Sequence, residues 1–198
     1  MIFGGSMKSF FKSYSYNVIR DILNQFAISI FGAMLSLATS AAESKTLSIT
    51  VSIFAIVFYL FLVYTTTWEI GAKDRVSVDV GKKQYRPHTG LLVSAVANVP
   101  KFLIAILFVV AVYVIPNGNL ANNIEVLVRL AYMLFGGMYA GLMMSVKVSA
   151  SGVAMISAWW AYFAFIIPAL AISWIAYYAG FKNFRLLAPL FDKKKGKK

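Results

Sequence analysis

The chain has no cysteine and a single histidine, His88, in 198 residues. Disulfides, thiolate nucleophiles and Cys-ligated metal are therefore excluded, and a His-based metal site has too few ligands. Charge is scarce as well: 13% of residues are charged and 60% are hydrophobic, with a mean hydropathy of +0.74. An ordinary soluble domain has about 25% charged and about 45–50% apolar residues. Acids are scarcest, seven against nineteen Lys and Arg, for a net charge of +12. Also missing are G-x-x-x-x-G-K-[ST], G-x-S-x-G and G-x-G-x-x-G, the signatures of phosphate loops, nucleophile elbows and dinucleotide sites. No cofactor, no metal and no enzyme activity are expected.

What is present is a series of apolar runs long enough to cross a bilayer. The run 47–67 holds 21 residues without a charge. At 1.5 Å per residue it matches a hydrocarbon core of about 30 Å. Further spans are expected at 22–39, 99–115 and 153–179, the last despite Pro168, because neighbouring helices can satisfy the carbonyl that a proline frees. Ahead of the first span, Met7, Phe11, Tyr14, Val18 and Ile22 recur at helical spacing, which predicts an amphipathic helix on the membrane surface. The basic, aromatic start precedes no A-x-A-like site, so a retained segment is expected rather than a signal peptide. The fold class expected is an all-α integral membrane protein in one membrane domain, 1–198.

The polar stretch 68–90 reads as a cytoplasmic loop, with Trp68 in the interfacial aromatic belt. Val76, Val78 and Val80 alternate with Ser77 and Asp79, a pattern a short strand would show before Gly81. Asp74 and Asp79 are the only carboxylates near one another, and on a basic loop they balance charge rather than catalyse. Lys101 follows Asn98 and Pro100. A span covering everything from 91 to 115 would put this lysine near mid-membrane at several kcal/mol. A kink is expected instead, with a helix near 87–98 along the inner interface and Lys101 snorkelling to the headgroups, where it could meet a lipid phosphate.

The segment 124–147 carries Glu125 and Arg129 at i,i+4 spacing, then an uncharged run with Gly137-Met-Tyr-Ala-Gly141, a close-contact pattern shared in kind by Gly32. Charge counting assigns its place. If it does not cross, fifteen Lys and Arg from the start, the loop and the tail 180–198 share one side, and Lys45, Arg129 and Lys147 take the other. If it crosses, the division falls to about ten against nine. Four spans are expected, with both termini cytoplasmic and an outer-face or re-entrant helix near 124–147. The tail cluster, including Lys193, Lys194 and Lys195, suits anionic lipid at about 1 kcal/mol per charge. Nucleic acid is not an expected partner, because the basic residues flank apolar runs.

The run Trp68-Glu-Ile-Gly71-Ala-Lys-Asp74 is similar to a junction in small uncharacterised multi-span membrane proteins of Gram-positive bacteria, where an aromatic–x–x–Gly–x–x–Asp run follows the second span. Tyr178-Ala-Gly180-Phe181-Lys182 before a lysine-rich end is similar in style. The resemblance covers about half the chain and implies a bacterial plasma-membrane location, with no assigned activity. The leading expectation is a non-enzymatic membrane subunit or scaffold, in contact with lipids and with a protein partner or a second copy of itself. Asp74, Arg75, Asp79, Glu125 and Arg129 are the candidate docking residues. The alternatives are a small oligomeric transporter or channel and, behind it, a lipid-modifying enzyme.

Overall fold

Two long helices, α1 (Phe3–Ala41, 39 residues) and α2 (Lys45–Asp79, 35 residues), form the frame, and neither contains a proline to interrupt it. The computed structural model describes residues 3–41, 43–115, 118–148 and 152–184. Glu43 adopts φ 52 in the turn between the two helices, and Ser44 caps α2, its side chain accepting from the Leu47 amide. The expected surface helix and first span are thus one helix: nothing in Asp21–Gln25 breaks the hydrogen-bond ladder. The valine alternation at 76–80 belongs to the last turn of α2. Gly81, at φ 70, ends that helix: its amide reaches Val78 O at 2.9 Å and the Lys82 amide reaches Ser77 O at 2.9 Å. This is a glycine-terminated Schellman arrangement, and it overrides the strand pattern.

The chain continues through α3 (Thr89–Ala97), α4 (Val99–Val109) with a π turn at Val110–Val114, and α5 (Asn119–Gly136). A 3₁₀ turn, Gly137–Tyr139, leads into α6 (Ala140–Ser145). After a second 3₁₀ turn at Met155–Ser157 come α7 (Trp159–Ala164) and α8 (Ile167–Phe181). Between α3 and α4 the axis bends by 51°. Pro100 supplies no amide there, and Asn98 turns its side-chain nitrogen back to Ser94 O at 2.8 Å.

By length and composition, four helices can cross a membrane: Met7–Ala41, Lys45–Asp79, Asn122–Ser145 and Trp159–Phe181. The bent pair α3–α4 is a fifth segment of that length if counted as one. The expected spans 22–39 and 47–67 lie inside two of these helices, and 153–179 overlaps a third that begins only at Trp159, after the 3₁₀ turn. The expected third span, 99–115, is the second half of the bent pair. The segment 124–147, expected not to cross, is itself long and apolar enough to do so.

Packing divides the interior into two apolar clusters. The smaller holds Phe10, Val18, Ile70, Val93, Ala97 and Tyr177. The larger includes Ile28, Tyr59, Val63, Ile104, Phe108, Tyr132, Tyr139, Tyr162 and Ala169. Following the chain, α1 leads from the smaller cluster to the larger and α2 returns. The α3–α4 pair leads up again, and α7–α8 returns. The α5–α6 segment contributes Val128, Tyr132, Met138, Tyr139 and Met143, all to the larger cluster.

The polarity of these helices is inverted relative to a soluble bundle. The buried stripe of α2 carries Ser48, Ser52, Thr66, Thr67 and Asp74, and its exposed face carries Ile53, Phe54, Val57, Phe58 and Phe61. In α1 the buried residues include Asp21, Gln25, Ser29, Ser36 and Thr39, while Leu23, Phe31, Met34 and Leu37 point outward. Such an exterior has no reason to be stable in water.

Glycines make the inward faces fit. A Cβ on Gly71 would strike the Tyr177 carbonyl, and one on Gly180 would strike that of Trp68, so α2 and α8 touch backbone to backbone. On the other side, Gly32 meets the Met138 backbone, Gly137 meets the Ser29 carbonyl, and Gly141 meets Ser48 and Ser52.

Candidate functional site

The geometry gathers around one side chain, Lys101, which is 0% exposed. Its Nζ lies 4.8 Å from the Tyr59 ring centre and 5.5 Å from that of Tyr139, with no hydrogen-bond acceptor in reach. The expected snorkelling is overturned. The bend at Asn98–Pro100 delivers the first turn of α4 into the bundle, where an aromatic pair replaces water around the ammonium. Each desolvated cation–π contact contributes about 2 kcal/mol. Burying an ammonium costs several kcal/mol even after relaxation. Two rings therefore leave Lys101 short of a counter-charge.

The neighbouring turns are polar and equally unsatisfied. Gln25 donates its amide to Phe135 O at 3.1 Å, but its carbonyl oxygen is buried without a partner. Ser29 Oγ, Asn98 Oδ1, Tyr132 OH and Tyr139 OH are in the same condition. Five such groups on α1, α5, the 3₁₀ turn and the α3–α4 bend make an interior that can take additional hydrogen bonds.

A second polar node closes the end of the bundle beside the smaller cluster. Asp74 was expected on a solvated loop, yet its side chain is only 7% exposed. Because α2 continues through it, Asp74 faces α1 and α8. It accepts from Tyr14 OH at 2.6 Å, Tyr177 OH at 3.1 Å and Lys83 Nζ at 2.9 Å. One turn earlier Glu69 pairs with Arg20 at 2.9 Å and Lys73 at 2.7 Å, and Thr66 donates to Asp21 at 2.8 Å. These contacts fix α1 against α2 in register.

The remaining expected residues are dispersed. Arg75 and Asp79 form an exposed i,i+4 pair at 3.7 Å, worth about 0–1 kcal/mol. Trp68 donates its indole nitrogen to Phe184 O at 2.8 Å, tying the end of α8 to α2. Glu125 accepts from Arg129 Nε at 3.0 Å, and the guanidinium sits 5.6 Å from the Phe108 ring and 3.3 Å from Ser157 Oγ. That pair lies with the larger cluster, far along the fold from the Asp74 node. Lys193, Lys194 and Lys195 lie outside the described residues.

Sequence reasoning missed Tyr59 and Tyr139 beside Lys101, the buried Gln25 and Ser29 of α1, and Tyr14, Tyr177 and Lys83 around Asp74. One signal was available: Asp21, Gln25, Ser29, Ser36 and Thr39 among the apolar residues of the first span mark the face turned away from lipid. Among the described residues no three His, Cys, Asp or Glu side chains gather. No family model matches the chain, and neither a curated protein nor a solved structure does so.

Proposed function

We propose that the chain is a multi-pass membrane protein that binds and passes a small monovalent anion at Lys101. The single observation behind this reading is the wholly buried Lys101 amine, with two ring faces and no hydrogen-bonding partner among the described residues. An intramembrane ionisable residue is a functional candidate by default, and the missing partner here is negative and monovalent. The Tyr139 hydroxyl, buried without a partner on a ring that faces Lys101, would donate to the same anion.

Four crossings suit the packing best: α1, α2, α3–α4 and α7–α8 each join both clusters, whereas α5–α6 stays with one. The distribution of charge agrees. Lys8, Lys12, Arg20, Lys73, Arg75, Lys82, Lys83, Arg86 and Lys182 fall at the end beside the smaller cluster. Among the described residues, Lys45, Arg129 and Lys147 fall at the other. The positive-inside rule then makes the first end cytoplasmic and α5–α6 a re-entrant element of the outer half, in a bacterial plasma membrane. A scaffolding role is the weaker reading, because Gly32, Gly71, Gly137, Gly141 and Gly180 are all used within the chain. What remains outside is the large apolar surface that lipid itself would cover.

Purified protein in liposomes loaded with nitrate, chloride or acetate tests the proposal, with efflux followed by ion-selective electrode. At least one of these anions should leave faster than from protein-free vesicles, and Lys101→Gln should return the rate to background while remaining folded. Background efflux of all three, together with no anion-dependent change in thermal unfolding, would refute it.

A further inference from the structure

Among the described residues, three Asp, Glu, Lys or Arg side chains are buried: Asp21, Asp74 and Lys101. Asp74 has Lys83 at 2.9 Å, but no ion pair involves either of the others. Asp21 is only 6% exposed, and its sequence neighbour Arg20 is turned to Glu69 at 2.9 Å and to Thr66 O at 3.3 Å. The bundle thus encloses one acid without a cation and one base without an anion. Both stand at the boundary between the apolar clusters, Asp21 between Val18 and Ile28 on α1, and Lys101 between Ala97 and Ile104. Asp21 meets Thr66 and Lys101 meets Tyr59, two turns apart on the buried face of α2, or about 10 Å of helix rise.

The hydrogen bonds at Asp21 suit a carboxylic acid. Thr66 Oγ1 lies 2.8 Å from Asp21 Oδ1 and 3.1 Å from Val63 O, yet a hydroxyl has one proton to give. With Asp21 ionised, those two acceptors compete for it. With Asp21 protonated, the acid donates to Thr66 Oγ1 and Thr66 donates to Val63 O, so each proton has its own acceptor. The elements packed against α1 add no free cation. On α2, Glu69 and Asp74 hold Arg20, Lys73 and Lys83, and Tyr59 is a phenol. On α5 and its 3₁₀ turn, Glu125 holds Arg129, and Tyr132 and Tyr139 are phenols. Neither α3 nor α6 has a titratable side chain.

An interior of low dielectric penalises net charge. An anion on the Lys101 ammonium beside an ionised Asp21 leaves the two sites with one net negative charge, and a proton on the Asp21 carboxylate removes it. We infer that the anion crosses together with a proton: Asp21 takes the proton as Lys101 takes the anion, and both leave on the far side. Whichever of the two side chains holds a proton when the sites are empty, the balance is one proton per anion. Coupling of this kind rests on Lys101 holding the anion, and it makes passage electroneutral.

Liposomes carrying the full-length protein and loaded with pyranine test the coupling under inward gradients of nitrate, chloride or acetate. Internal pH and anion entry are followed together, and protein-free vesicles correct for acetic acid that crosses unaided. The interior should acidify by one proton per anion, and a potassium diffusion potential set with valinomycin should leave the rate unchanged. Asp21→Asn copies the protonated acid in shape, so it should keep its thermal unfolding midpoint while its acidification falls to the protein-free rate. The wild-type stoichiometry and its indifference to potential stand without that variant. Anion entry without acidification, or wild-type acidification in Asp21→Asn, overturns the coupling and leaves Lys101 as an anion site. Entry of none of the three anions refutes the Lys101 site itself, and the coupling with it.

Discussion

Replacing Gly71 with alanine puts a methyl carbon where α8 already has backbone. The new Cβ would lie 2.9 Å from Phe181 N and closer still to the Tyr177 carbonyl. Neither atom belongs to a side chain that could rotate away, and carbon needs about 3.5–4.0 Å of separation. The two helices must therefore part by about 1 Å, which forfeits a quarter to a half of the dispersion energy at each seam contact. Overpacking of this kind costs about 1–3 kcal/mol. The same displacement lengthens the Tyr177–Asp74 hydrogen bond beyond its present 3.1 Å, leaving a buried hydroxyl poorly paired for about 1 kcal/mol more. Alanine's better helix propensity returns about 1 kcal/mol. The expected net loss is about 1–3 kcal/mol.

Gly180→Ala meets the Trp68 backbone across the same seam, with Trp68 C at 2.9 Å and Ala72 N at 3.1 Å. One separation relieves both clashes, so the double variant should lose less than the sum of the singles, with coupling of about 1–2 kcal/mol. Unfolding in mixed detergent micelles, followed by tryptophan fluorescence with Trp68 beside the seam, gives all four corners of the cycle. Gly81→Ala is the control: open space surrounds it, but φ is +70, so a cost of about 1 kcal/mol uncoupled to the others is expected. Wild-type stability of Gly71→Ala, or strict additivity in the double variant, refutes the backbone-contact reasoning.

Three further outcomes follow from the polar interior and the path of the chain. Lys101→Met removes an uncompensated buried amine and should raise stability by about 1–3 kcal/mol in thermal unfolding while abolishing anion efflux; a destabilised Lys101→Met would contradict the geometry of the site. Asp74→Asn removes the countercharge of Lys83 and turns an amide nitrogen on either Lys83 or the two tyrosine hydroxyls, so a loss of about 2–4 kcal/mol is expected by denaturant titration, and a loss below about 1 kcal/mol would contradict the buried node. Single cysteines at 82 and 182 should react with an impermeant maleimide from one face of sealed vesicles, and cysteines at 45 and 147 from the other. Labelling of 147 together with 82 would rule out the four-crossing path.

Helical class and the approximate place of three helices long and apolar enough to cross a membrane were legible in the sequence because uncharged runs of about 20 residues have few alternatives. The 68–90 stretch misled because charge was taken to mean solvent. α2 instead carries its buried stripe past Trp68 to Asp74, and three partners from distant parts of the chain satisfy that carboxylate. Lys101 misled in the opposite direction. In sequence a lysine near mid-membrane looks too costly, since the rings that reduce that cost, Tyr59 and Tyr139, are far away along the chain. The Gly137–Gly141 spacing was legible as a close-contact motif, but its partners on α1 and α2 depend on the whole packing.

The bend at Asn98–Pro100 occurs where the chain leaves one apolar cluster for the other, and Lys101 stands on the first turn beyond it. Each cluster is tightly interlocked, but few hydrogen bonds join α3 to α4 across the boundary apart from those of Asn98. α1 and α2 run unbroken past that boundary, so the joint concerns α4 alone. A swing of α4 about Asn98–Pro100 would carry Lys101 along the Tyr59 and Tyr139 rings, as a hinge moves an element about a few residues. In mechanical terms the lysine sits at the fulcrum, where a small rotation gives the charge the shortest travel between a dry environment and a wet one.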